Sequence, residues 1–129
     1  MLRASRQLLR PGGWTAFSTI HPASGLDERR RREAHRAGPV AVATGNLGHV
    51  ELMTRAGFVD VEGVDGTPAF AHVTRAWVEE WDRHRDALVE LLGPGGFHDR
   101  QRGRRNMLRA IEHGVLERSL VVGRAPLTD

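Results

Sequence analysis

Leu8 and Leu9 run into Arg10-Pro11-Gly12-Gly13 and then into Trp14-Thr15-Ala16-Phe17-Ser18-Thr19-Ile20, and this succession constrains the fold more than any other stretch. Proline fixes its own φ and cannot continue a helix, and glycine takes positive φ without steric cost. The run that follows mixes aromatic, β-branched and small side chains with partial alternation, as a strand covered on both faces does. A helix end, a tight turn and a buried strand therefore lie close to Met1, with no earlier strand beside them. The expectation is the back half of an α/β domain whose front half is elsewhere or lost.

Composition narrows the chemistry. The 129 residues contain no cysteine, which excludes disulfides, thiolate metal sites and thiol nucleophiles. All nineteen basic residues are arginine, so a phosphate-loop lysine, a Schiff-base lysine and a lysine general base are excluded together. No apolar run approaches the ~20 residues that cross a bilayer. The opening MLRASRQLLR lacks the apolar core of a secretory signal. A soluble cytoplasmic protein of one domain, residues 1–129, is expected, with no internal repeat and no dividing linker.

The remaining pattern orders the elements. Residues 2–10 suit a short amphipathic helix, and Leu26–Ala37 suit a polar one, with Asp27 and Glu28 at its positive end. Asn46 is placed to cap a helix with Leu47, Val50 and Met53 on one face, closed by Gly57. Phe58–Val64 alternate as a strand, and Asp65-Gly66-Thr67-Pro68 read as a turn. A long helix is expected over 71–92, with Val73, Trp77, Trp81, His84, Leu88, Leu91 and Leu92 on one stripe. Gly93-Pro94-Gly95-Gly96 break it, a second helix covers 98–113, and Leu116–Arg124 form the last strand. The two long helices fold back as an antiparallel pair.

Two of these segments carry a family likeness. The segment LLRPGGWTAFSTIHP resembles the helix, turn and fifth strand of class I S-adenosylmethionine-dependent methyltransferases, and LGHVELMTRAGFVDVEGV resembles their next helix and sixth strand. Residues 116–124 are similar to the seventh strand, which in that family inserts antiparallel between the fifth and the sixth. The resemblance implies an α/β fold: a partial Rossmann-like sheet of three strands, with a helical cap insertion over 71–113. It implies methyl transfer to a small-molecule acceptor, with S-adenosylmethionine as the cofactor of a full-length relative. The family's glycine-rich cofactor loop and its acidic ribose-binding residue have no counterpart in this sequence. No cofactor bound by this chain alone is therefore expected, and the protein is expected to be inactive alone.

Within that frame His21 stands where the acceptor of a complete enzyme would lie, and an imidazole there accepts a proton. The duller account has its ring capping a turn beside Pro22. Ser18 and Thr19 either contact the acceptor or satisfy backbone groups. Trp77, Trp81 and His84 either line an acceptor pocket or pack one helix on its partner. Asp65 caps a turn, and His49 and His72 are surface or boundary residues. No pair of histidines has metal-binding helical spacing, so no metal is expected. No serine sits in a hydrolase nucleophile elbow.

Arg29 to Arg32 with Arg36, and Arg100, Arg102, Arg104, Arg105 and Arg109, make two cationic helix faces. Solvated faces are the plain account; an anionic acceptor or a partner subunit is another, and nucleic-acid binding is not expected. A rival to the enzyme reading is a non-catalytic interaction module. In that case the bare edge of strand 14–20 pairs with a second copy or with a complementing chain.

Overall fold

A computed structural model describes residues 1–38 and 48–128. In chain order these form α1 (Leu2–Leu8), β1 (Trp14–Pro22), α2 (Glu28–Ala37), α3 (His49–Arg55), β2 (Val59–Asp65), α4 (Thr67–Arg83), α5 (Arg85–Glu112) and β3 (Leu116–Arg124). The expected cap at Asn46 and the apolar contact of Leu47 lie outside the described residues.

The three strands make one sheet in the order β1-β3-β2. β3 pairs antiparallel with β2, Val64 opposite Leu120 and Asp65 opposite Ser119. It is antiparallel to β1 as well: Ala125 donates to the Gly13 carbonyl at 2.8 Å, and Ala23 donates to the Val115 carbonyl at 3.0 Å. The last strand thus lies between the two earlier ones, as the resemblance implies. A bulge between Val59 and Glu62 places Asp60 at φ 51°, and Arg124 Nε donates to its carboxylate at 2.8 Å.

The described residues divide into two units. Residues 1–19, 48–65 and 119–128 form the first, around Met53, Phe58 and Val121, with Leu2, Leu9, Phe17, Ala56 and Val61 packed against them. Residues 20–38 and 66–118 form the second, around Phe70, Ile111, Val115 and Leu116 with Ala34 and Ala110.

Several boundaries differ from the sequence expectation. β1 is not covered on both faces: Thr15, Phe17 and Thr19 are half-buried while Trp14, Ala16 and Ser18 are exposed, Trp14 by 58%. The reason is that the packing residues of α1 and α3 in the first unit gather with Phe17 around one cluster. α4 begins at Thr67, because Pro68 in a first turn has no N–H to lose. The Thr67 hydroxyl accepts the Arg118 N–H at 3.2 Å.

The helix expected over 71–92 is interrupted at His84 (φ −102°, ψ 24°), and helical backbone resumes at Arg85. The break expected at Gly93-Pro94-Gly95-Gly96 is present: Gly93, at φ 75° and ψ 160°, leaves helical geometry, and α5 consists of two helices meeting at that kink. α4 and the later part of α5 are antiparallel all the same. Arg75 of α4 pairs with Glu112 of α5 at 2.8 Å, and Asp82 pairs with Arg105 at 2.6 Å.

Candidate functional site

His21 occupies the end of β1, half-buried. Its Nδ1 lies 2.9 Å from the Pro22 carbonyl oxygen. A carbonyl only accepts, so Nδ1 carries the proton and the ring's lone pair is on Nε2. That tautomer suits a proton acceptor, and the same bond also fits the turn-capping account.

Trp77 and Trp81 lie one helical turn apart on α4, and α5 brings Arg104 to both. Its guanidinium carbon is 3.6 Å from the Trp81 ring centre and 5.0 Å from that of Trp77. Phe97 stacks on Trp81 with centroids 5.9 Å apart. Cation–π attraction strengthens where water is excluded, and Arg104 Nη1 is buried with no hydrogen-bond acceptor, so the indole faces are its surroundings. His84 points elsewhere: its side chain is 68% exposed and Nε2 is 3.5 Å from Glu80. Helix packing and pocket lining remain compatible for the two tryptophans.

Gln101 holds the helices in register. It is 1% exposed, and its Nε2 donates to the Val78 carbonyl at 3.0 Å and to Asp82 Oδ1 at 2.9 Å. The Gln101 bond, followed by Arg105, holds the Asp82 carboxyl below its ordinary value of 3.8, against the opposing cost of desolvation. A lowered folded value means that this stabilisation is in place above the unfolded value and is lost as pH falls through the folded one. Asp82→Asn is therefore expected to be less stable than the parent near neutrality, with the gap closing below roughly pH 4. Urea unfolding at several pH values checks this, and a gap that stays constant down to acid pH would contradict it.

Beside this cluster lies a cavity of about 540 Å³ lined by α2, α5 and the end of β1. Ile20, Arg36, Gly38, Arg100, Arg104 and Met107 are among its lining residues.

No family model matches the chain, and neither does any curated protein. Solved structures do. A Haemonchus contortus phosphoethanolamine N-methyltransferase 2 superposes on 97% of this chain with a TM-score of 0.78 at 16% identity. A Galdieria sulphuraria protein assigned as a sarcosine dimethylglycine methyltransferase covers 99% of it (TM-score 0.80, 16% identity), and a cyclopropane synthase of Mycobacterium tuberculosis 95% (TM-score 0.74, 12% identity). The chain carries part of a class I methyltransferase-like fold. It spans 29%, 47% and 48% of those three chains, less than half of each.

In a methyltransferase-like fold the cofactor calls for a glycine-rich turn that follows a strand and opens a helix. Among the described residues neither glycine-rich stretch fits. Gly12-Gly13 precede β1; the Gly12 N–H is taken by the carbonyls of Ala125 and Pro126, and a Cβ there would meet Leu127 at 2.9 Å. Gly93-Pro94-Gly95-Gly96 lie where the two helices of α5 meet, with no strand directly before them.

Sequence reasoning placed Arg104 on a solvated face and passed over Gln101 and Asp82. One signal was available. Arg100 and Arg104 are four apart on a helix, where like charges repel, and such a pair calls for a reason.

Proposed function

We propose that this chain is the acceptor-side part of an S-adenosylmethionine-dependent methyltransferase for a small-molecule acceptor, inactive until another segment or chain supplies the cofactor-holding half. The observation that carries this reading is a likeness over at least 95% of this chain that extends over less than half of each neighbour. Small acceptors fit the neighbours: the Haemonchus contortus enzyme is in complex with phosphomonomethylethanolamine and S-adenosylhomocysteine. Residues 71–113 serve as the cap over the acceptor, with Trp77, Trp81 and His84 along it. His21 takes the acceptor's proton at Nε2, the nitrogen left with a lone pair by the Pro22 bond.

Calorimetric titration of the chain with S-adenosylhomocysteine tests the reading. No saturable heat is expected from the chain alone. Saturable binding would place the cofactor site within these residues and overturn the divided-fold proposal.

A second reading, a non-catalytic interaction module, draws on the position of β1 at one side of the sheet and on the exposure of Trp14. Strand edges recruit partners. Pairing of that edge with a second copy or a complementing chain would then be the protein's task. Sedimentation equilibrium separates the forms: a dimer mass is expected if copies pair, and a monomer mass at every concentration removes self-pairing. No helix among the described residues is long and apolar enough to cross a membrane.

A further inference from the structure

We propose that the cavity lined by α2 and α5 binds the phosphoryl group of a small phosphate monoester through Arg36, Arg100 and Arg104. Three arginines line it and, among the described residues, no acidic residue does; the other lining residues are Ile20, Ala37, Gly38, Gly103, Asn106 and Met107. Cations brought to one concave surface without counter-charge are an anion site in chemical terms, and guanidinium matches phosphate oxygens in pairs.

Their place in the cavity, together with the lack of a carboxylate partner, distinguishes these three from the paired arginines of α5. On the same helix Arg102 pairs with Asp99 and Arg105 with Asp82. Among the described residues Arg36, Arg100 and Arg104 have no carboxylate partner. Their arrangement also works against local stability. Burial, and the charge of Arg100 one turn away, hold the Arg104 guanidinium below its ordinary basicity. Its stacking on Trp81 keeps it in place despite that cost. A doubly charged phosphoryl group offsets the repulsion between Arg100 and Arg104 better than a single carboxylate charge does. The cavity, about 540 Å³, is within the size range of small-molecule sites, and Ile20, Ala37 and Met107 give its organic portion an apolar wall. The proposal rests on residues of the second unit alone and stands or falls separately from the methyl-transfer reading.

The test is a titration of the isotopically labelled full chain with methyl phosphate, inorganic phosphate and acetate at constant ionic strength, followed by backbone amide NMR. Saturable shifts confined to residues 36–38 and 100–107 are expected, with methyl phosphate bound about tenfold more tightly than acetate. Arg36→Gln and Arg100→Gln, both at exposed positions that leave the Trp81 stack intact, are each expected to weaken methyl phosphate about tenfold. Arg29→Gln leaves it unchanged. Shifts spread alike over every arginine-rich face, equal response to acetate, or affinity unaltered in both pocket variants would overturn the proposal. So would a response to an RNA duplex with none to methyl phosphate, which would assign the face to nucleic acid.

Discussion

Phe70→Ala is expected to destabilise the protein by about 4 kcal/mol, while Val73→Ala, three residues along the same helix, changes stability by less than about 0.5 kcal/mol. Phe70 is 6% exposed and packs with Ile111, Val115 and Leu116; Val73 is 53% exposed. Truncating a buried aromatic removes its transfer free energy and leaves a cavity that rigid neighbours fill only in part. An exposed valine has little of either to lose. Set against a total stability of about 5–15 kcal/mol for a single domain, the first change is severe and the second close to silent. Urea unfolding of the two variants decides the matter. Equal losses, or a larger one for Val73, would mean that α4 buries a different face.

That contrast marks where the sequence was legible and where it was not. The strand order was anticipated only through the family resemblance carried by the segments around Pro11-Gly12-Gly13 and Ala56-Gly57-Phe58; the turns themselves mark element boundaries. The Gly57 N–H reaches the Thr54 carbonyl and that of Phe58 reaches Met53, closing α3 as expected. The face of α4 was harder to read. A stripe through Val73 and Trp77 is more hydrophobic by residue type than one through Phe70, Thr74 and Val78, yet the second is the buried one. Thr74 tolerates burial because its hydroxyl donates to the Phe70 carbonyl at 2.7 Å, a bond invisible to a count of apolar residues. Trp77 tolerates 56% exposure with a guanidinium above its ring.

The interruption at His84 had no glycine or proline to announce it. Local propensity is a weak prior there, and tertiary contacts across α4 and α5 outweigh it. The cavity arginines were hidden for a related reason. A run of arginines reads as a solvated face until a partner helix turns one of them inward.

Gln101→Glu is the substitution expected to do most harm for the fewest atoms, about 4 kcal/mol at neutral pH. The wild-type amide donates to two acceptors, the Val78 carbonyl and Asp82 Oδ1, from a position that water scarcely reaches. An ionised glutamate has no proton to give either, and its charge faces the Asp82 carboxylate. Desolvation and like charge both favour the neutral acid, so the introduced carboxyl titrates above its unfolded value of about 4.3. For an acid with a raised folded value, the penalty is complete above that folded value and fades as pH falls toward the unfolded one. The variant should therefore recover stability between roughly pH 7 and pH 4.5, a range above the one in which the Asp82 contribution itself is lost. Gln101→Met isolates the charge: it forfeits the same two bonds with similar volume, and it is expected to cost about 2 kcal/mol with no recovery between roughly pH 7 and pH 4.5. Loss of the Asp82 contribution narrows its gap to the parent only below that range. Should the glutamate and methionine variants lose equal stability at both pH values, the carboxamide would be a space-filler, and the register of α4 against α5 would have to come from the Arg105 and Arg104 contacts instead.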